Sequence, residues 1–260
     1  LQYQPQQNNI SENTFVEAKA SGEIGELGAG PVGLAFGTQL SRELYKDSPD
    51  DHTLNGDVLS LASSQGGGSR NSGSLFSEVN LYPIQSLETS AALRYDYYDG
   101  FGSTVNPKLA FSYTPIKELM FRASAGTGFK APQMQKLYAA QTTAQIQFVD
   151  QVYCNKSGGT DPTACQPISH PIIQGGNPNL KQETSFSYNL GMVAQPTRNH
   201  SLTLDFWYYK LNDLVQAPNF QTLTQQEANG VDIGQYGATA NRNPVTGQLI
   251  GRGLEASYLN

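Results

Sequence analysis

The sequence predicts an all-β protein, an antiparallel transmembrane β-barrel with about nine strands and long extracellular loops. Three observations carry this. Within the strand-like segments nearly every charge falls on the polar face, leaving a second face mostly uncharged and apolar. The connections alternate between short and long. Only 15% of the 260 residues are charged, whereas a soluble domain carries about 25%.

Strand candidates run over about 14–22, 31–45, 75–82, 86–97, 104–114, 118–126, 184–194, 201–210 and 252–260. Most have the roughly nine to eleven residues of a tilted membrane strand. The clearest is Ser86 to Tyr97, where Leu87, Thr89, Ala91, Leu93, Tyr95 and Tyr97 alternate with Ser86, Glu88, Ser90, Ala92, Arg94 and Asp96. Successive side chains of a strand point to opposite faces, so all three charges share one. Val105, Leu109, Phe111 and Tyr113 likewise oppose Asn106, Lys108, Ser112 and Thr114, and Leu119, Phe121, Ala123 and Ala125 oppose Arg122 and Ser124. Further on, Phe186, Tyr188, Leu190 and Met192 oppose Ser185, Ser187 and Asn189. Leu202, Leu204, Phe206 and Tyr208 oppose Thr203, Asp205 and Tyr209, and Leu254, Ala256 and Tyr258 oppose Glu255 and Ser257. The polar-face charges Glu88, Arg94, Asp96, Lys108, Arg122, Asp205 and Glu255 mix signs, as suits a wet lumen or one packed against a polar plug. One exposed face of an ordinary soluble sheet is the competing reading.

Segments 23–30, 83–85, 115–117 and 195–200 are short, while 46–74, 98–103, 127–183 and 211–251 are mostly long. In an up-and-down meander every second connection emerges at the same end, so the long ones share a side. That is the outer-membrane arrangement, with short turns in the periplasm. Pro83, Pro115 and Pro196 mark three of those turns. Pro132 followed by Gln133 to Tyr138 predicts a short helix inside the long middle loop. Tyr95, Tyr97, Tyr98 and Phe101, with Tyr208 and Tyr209, suggest an aromatic girdle at headgroup level.

Other classes are disfavoured. No apolar run approaches the roughly 20 residues of a spanning helix, and mean hydropathy is -0.44. Net charge is -6 with no basic run, so nucleic acid is not an expected partner. Cys154 and Cys165 lack the neighbours of a zinc site and read as a disulfide closing one loop in an oxidising compartment, with two free thiols as the alternative. Gly22, Gly25, Gly28, Gly30 and Gly33 lack the Lys-Ser/Thr of a phosphate loop. Asp47, Asp50, Asp51 and His52 lack calcium-loop spacing and read as a solvated loop. Gly66–Gly68 and Ser157–Gly159 read as loop tips. His52, His170 and His200 lie in separate loops, and no nucleophile context is present. No enzyme, metal site or cofactor is expected.

Four stretches resemble the barrel of TonB-dependent outer-membrane receptors. They are Arg94-Tyr95-Asp96 with Val105-Asn106-Pro107-Lys108; Phe121 to Pro132; Gly176 to Glu183; and Gly251-Arg252-Gly253-Leu254-Glu255. Lys130 and Gln182 depart from the Arg and Pro usual there. The resemblance covers residues 73–260 well and 13–46 more weakly, in the order of the latter half of such a barrel. It implies uptake of a scarce nutrient, such as a siderophore-iron complex or cobalamin, across the outer membrane of a Gram-negative bacterium. Its partners would be outer-membrane lipid, a plug domain of the same protein facing the lumen charges, TonB, and a small nutrient ligand. Residues 1–260 read as part of one barrel domain with no plug-like stretch or energy-coupling box among them, hence as a fragment of a family whose barrels have about 22 strands. Within the loops, Tyr138, Gln141, Tyr153 and Tyr236 are the candidate ligand contacts. A passive or adhesive barrel is the alternative, and a soluble all-β binding protein a third reading.

Overall fold

The computed structural model describes residues 3–58, 64–158 and 160–260. Its largest element is an antiparallel sheet of eight strands, here termed the wall. β1 (Gln7–Leu27), β2 (Gly30–Pro49), β3 (Gly66–Ile84), β4 (Leu87–Tyr98), β5 (Gly102–Ile116) and β6 (Leu119–Lys130) lie side by side in chain order. Two further strands, β7 (Thr142–Phe148) and β8 (Ile168–Gly175), leave the wall, which resumes with β9 (Glu183–Thr197) against β6 and ends with β10 (His200–Asn212).

The register aligns like with like. Leu34, Val79, Ala91, Leu109, Ala125, Tyr188 and Tyr208 stand in one row across seven strands. One residue along, Ala35, Glu78, Ala92, Lys108, Gly126, Ser187 and Tyr209 form the adjoining row on the opposite face. A one-residue slip would exchange the two faces, so this pattern excludes odd shifts of the pairing. The apolar face is uncovered: Leu40 is 66% exposed and Phe206 58%. Such a surface belongs against hydrocarbon.

Two-residue turns at 28–29, 85–86, 117–118 and 198–199 close one end, and the long connections leave from the other. Pro83, Pro115 and Pro196 lie inside the strand ends rather than in the turns. Each coincides with a register irregularity, between Leu81 and Ile84, Tyr113 and Ile116, and Ala194 and Thr197. A residue without an N–H is accommodated where the ladder is already broken. At the remaining turn, Gly28 takes φ +72, and a side chain there would strike Tyr82 and Pro83 carbonyls.

The expected ninth wall strand is corrected. β11 (Thr239–Arg242) and β12 (Leu249–Ser257) join β7 and β8 in a second, four-stranded sheet ordered β11-β12-β8-β7, with β12 parallel to β8. Leu254 and Ala256 are buried there with Phe148, Ile172, Phe220, Leu223, Ile233 and Leu249. An alternating segment fits one side of a dry core as well as one side of a bilayer. The helices α1 (Asp51–Leu54), α2 (Met134–Tyr138), α3 (Gln151–Ser157) and α4 (Phe220–Ala228) all lie in the long connections. Together with the second sheet, α2 to α4 form a cap at the long-loop end of the wall. The helix expected after Pro132 is α2.

Gly66, Gly67 and Gly68 are strand residues paired with Asp47, Lys46 and Tyr45, not a loop tip. The end of α2 lies on them: a side chain at Gly68 would come within 2.7 Å of the Tyr138 ring, and one at Gly66 would overlap backbone of Tyr138 and Ala140. Ser157 and Gly158 end α3, Gly158 in the left-handed region, while Gly159 lies outside the described residues.

Candidate functional site

Six of the seven expected polar-face charges share one face of the wall. Asp96 is fully buried, accepting from Ser74 Oγ at 2.6 Å and from Arg94 Nε at 2.9 Å, while the Arg94 guanidinium stands 5.7 Å from the Phe76 ring centroid. Arg122 donates to Asp205 at 2.7 Å and 2.8 Å. These two residues sit on strands separated by β9. Gly191 of β9 lies between them, and any side chain there would overlap both Asp205 Oδ1 and Arg122 Nε. Glu88 and Lys108 occupy the same face, which also carries Phe76 and Trp207. Glu255 does not belong to this set: it lies on β12 in the cap and pairs with Arg252 at 2.8 Å.

The aromatic expectation divides. Tyr95, Tyr97 and Tyr208 stand exposed on the apolar face, and Tyr208 stacks on Tyr188 at 5.2 Å. Tyr98 turns to the charged face, because strand alternation puts it opposite Tyr97, and there it stacks on Phe101 at 4.9 Å. Tyr209 shares that face.

At the long-loop end, Arg70 is 5% exposed and gathers several partners. Its Nε donates to Glu43 at 2.8 Å, a second guanidinium nitrogen also meets Glu43, and Nη1 donates to the Pro132 carbonyl at 2.9 Å. The guanidinium also lies 5.1 Å from the Tyr98 ring centroid, a cation–π arrangement. Beside it opens a cleft of about 460 Å³ lined by Ser11, Asn13, Glu43, Tyr45, Tyr98 and Gln133 among others. Arg70 carries no local sequence signal, because it follows a glycine run that resembles a loop.

Of the expected loop contacts, Tyr138 and Gln141 flank the α2–β7 connection, with Tyr138 packed beside the cluster Tyr45, Met134, Leu137, Leu180 and Val215. The Gln141 backbone exchanges hydrogen bonds with Ser64. Tyr153 is on α3, where its hydroxyl donates to Asp161, which raises the phenol above its ordinary range. Tyr236 ends a 3-10 turn over Ile233–Tyr236. These four occupy different elements of the cap.

Two features tie the cap internally. The disulfide forms, joining Cys154 of α3 to Cys165 with Cα atoms 4.7 Å apart. Arg242 bridges Asp150, the N-cap of α3, at 2.8 Å and Glu227 of α4 at 2.7 Å. Neither Arg242 nor Asp150 was singled out in sequence, since their partners are 92 residues apart. His170 is buried against Phe148 with ring centroids 4.5 Å apart, and desolvation lowers its pKa. The acidic loop cluster has structural work: Asp47 accepts from Gln7 and the Ala140 amide, and His52 meets Asp57. Asp50 caps α1 and accepts from the Tyr3 hydroxyl, pulling Asp50 below and pushing Tyr3 up to about 12. Among the described residues, no group of three or more His, Cys, Asp or Glu is placed to hold a metal ion.

The family model described as TonB dependent receptor-like, beta-barrel, matches residues 1–259. The vitamin B12 transporter BtuB of Photobacterium profundum is 27% identical over 114 residues, 44% of this chain and 13% of that protein. A mutant ferric enterobactin receptor PfeA from Pseudomonas aeruginosa, solved with enterobactin, aligns with TM-score 0.62 at 18% identity, over 80% of this chain and 28% of that one. The siderophore receptor PirA from Acinetobacter baumannii aligns with TM-score 0.62 at 17% identity, over 96% and 33%. The chain thus spans a third or less of the length of these relatives.

Proposed function

Since this chain belongs to the TonB-dependent receptor-like β-barrel family, we propose that it forms part of the wall and outer mouth of an active outer-membrane importer. The substrate would be a scarce small nutrient, such as a siderophore-iron complex or cobalamin. Family barrels sit in the outer membrane of Gram-negative bacteria, which orients the wall: apolar face to lipid, charged face to the lumen, cap outside the cell.

The observation that carries the reading is the pairing of a one-sidedly apolar wall with a folded cap at its long-loop end. The wall needs lipid on one face and a wet or plugged lumen on the other. Glu88, Arg94, Asp96, Lys108, Arg122 and Asp205 would then face a plug domain, and Tyr138, Gln141, Tyr153 and Tyr236 would be tested as ligand contacts. The work is binding and gating driven by the inner-membrane proton gradient through TonB. No covalent catalysis and no cofactor enter.

The test is uptake of single radiolabelled nutrients by cells carrying or lacking the full-length gene, with and without a protonophore. Gene-dependent accumulation that the protonophore abolishes is expected. Gene-dependent accumulation that survives it would overturn energy coupling in favour of a passive barrel.

A further inference from the structure

We infer that the two long loops form one hinged lid, and that Arg70 is the positioning residue of the catch that fastens it to the wall. Only the lid's role in nutrient entry rests on the importer reading.

The loops are a single body by construction. β12, from the second loop, lies between β8 of the first and β11. Both loops supply the core: Phe148 and Ile172 from one, Phe220, Leu223, Leu249 and Leu254 from the other. Arg242 of the second grips Asp150 of the first. At their bases, Lys136 Nζ donates to the Val215 carbonyl at 3.0 Å, and the Val215 amide donates to Glu183 at 3.2 Å.

The attachments of this body to the wall are unequal. Within residues 1–260 its chain crossings follow β6, precede β9 and follow β10, which are three adjacent strands. That edge is a hinge line. On the far side, beyond β4 and β5, the hold is noncovalent and falls on β2 and β3. Three strand spacings separate β6 from β3, roughly 14 Å at about 4.8 Å each. The segment from Ala131 to Gln141 spans that distance over the lumen face. It is pinned where Arg70 donates to the Pro132 carbonyl, where the Ala140 amide reaches Asp47 at 3.4 Å, and where the Tyr138 ring rests on Gly68.

Arg70 suits a catch because it does two things. Its Nε and one terminal nitrogen hold Glu43 within the wall, and the other terminal nitrogen holds the strap. A lysine can keep the first and lacks the planar fork for both together. Arg70 holds the start of the strap, since Pro132 lies two residues past the end of β6, while Tyr138 and Ala140 hold its far end on β3 and β2; releasing these contacts together frees the side of the lid opposite the hinge and widens the cleft of about 460 Å³ that Gln133 helps to line.

The test is amide hydrogen exchange on the full-length protein in lipid vesicles, comparing the natural protein with Arg70→Lys and Gly68→Ala. The second variant attacks the catch without changing charge, by placing a methyl against the Tyr138 ring. We expect amides of 133–141 to exchange roughly tenfold faster in both, as for loss of about one hydrogen bond to a charged group. Amides of β8 and β12 should keep their protection, because the lid moves as a body. Unchanged exchange at 133–141 in both variants overturns the catch, and a parallel loss in β8 and β12 overturns the single body. If Arg70→Lys also loosens the wall strands, Gly68→Ala alone decides. Exchange is read without transport, so a lid on a protein that imports nothing and an importer without this lid give different results.

Discussion

The wall and the cap are built from the same chain against opposite solvents. The apolar face of the wall is uncovered: Leu204 is 66% exposed and Phe206 58%, with the polar side chains on the opposite face. The cap buries Leu254 completely and Phe148 to 4%, like any water-soluble domain. The wall therefore gains its apolar burial from lipid, and the cap from itself. Local alternation specifies the first, whereas contacts between distant segments specify the second.

This contrast is sharpened by substitutions that strike one region alone. Leu254→Ala should cost the cap about 2–5 kcal/mol, with faster exchange in β8, β11 and β12 and no change in the wall. Leu190→Arg, on the apolar face, should do the reverse, costing about 2–4 kcal/mol if it lies near the bilayer midplane and read as a lower denaturant midpoint for the reconstituted barrel. Reducing Cys154–Cys165 should cost the cap about 2–3 kcal/mol from the loop it closes, detectable as new proteolytic cleavage in 151–167. Gly191→Ala should separate Arg122 from Asp205. These are partly exposed charges, so the expected loss is about 1 kcal/mol or less, measured by the same denaturant titration.

The smallest effect concerns pH. Burial lowers the folded-state pKa of His170 below 6.5, so between that lowered value and 6.5 the unfolded cap binds a proton that the folded cap does not. Stability contributed by neutral His170 is present above about pH 6.5 and declines as pH falls below it. His170→Phe should flatten the acid limb of cap proteolysis, leaving the wall's pH profile unaltered.

Sequence legibility follows the same division. Eight wall strands, the sidedness of the loops and α2 were all readable, because period-2 patterning and loop parity are local signals. The strands proved longer than expected, β1 running Gln7–Leu27 instead of 14–22. Polar segments such as Gln7 to Asn13 show no alternation to read. The mixed sheet of the cap was not readable: Leu254 pairs with Ile172 in a parallel ladder, and nothing local announces a partner so far away. Glu255 was misplaced for that reason, and Arg70 was overlooked because its partners Glu43 and Pro132 lie on either side of it at long range.

The three prolines at the turn end carry a further consequence. A ladder with alternating faces has many near-equivalent alignments two residues apart, all keeping apolar beside apolar. Pro83, Pro115 and Pro196 reduce that degeneracy, because each falls at a skip in the pairing and a shifted alignment would move it onto a position that needs an N–H donor. They act as index marks at one rim of the sheet, from which hairpins can be counted off while the mouth end is left free to vary in length.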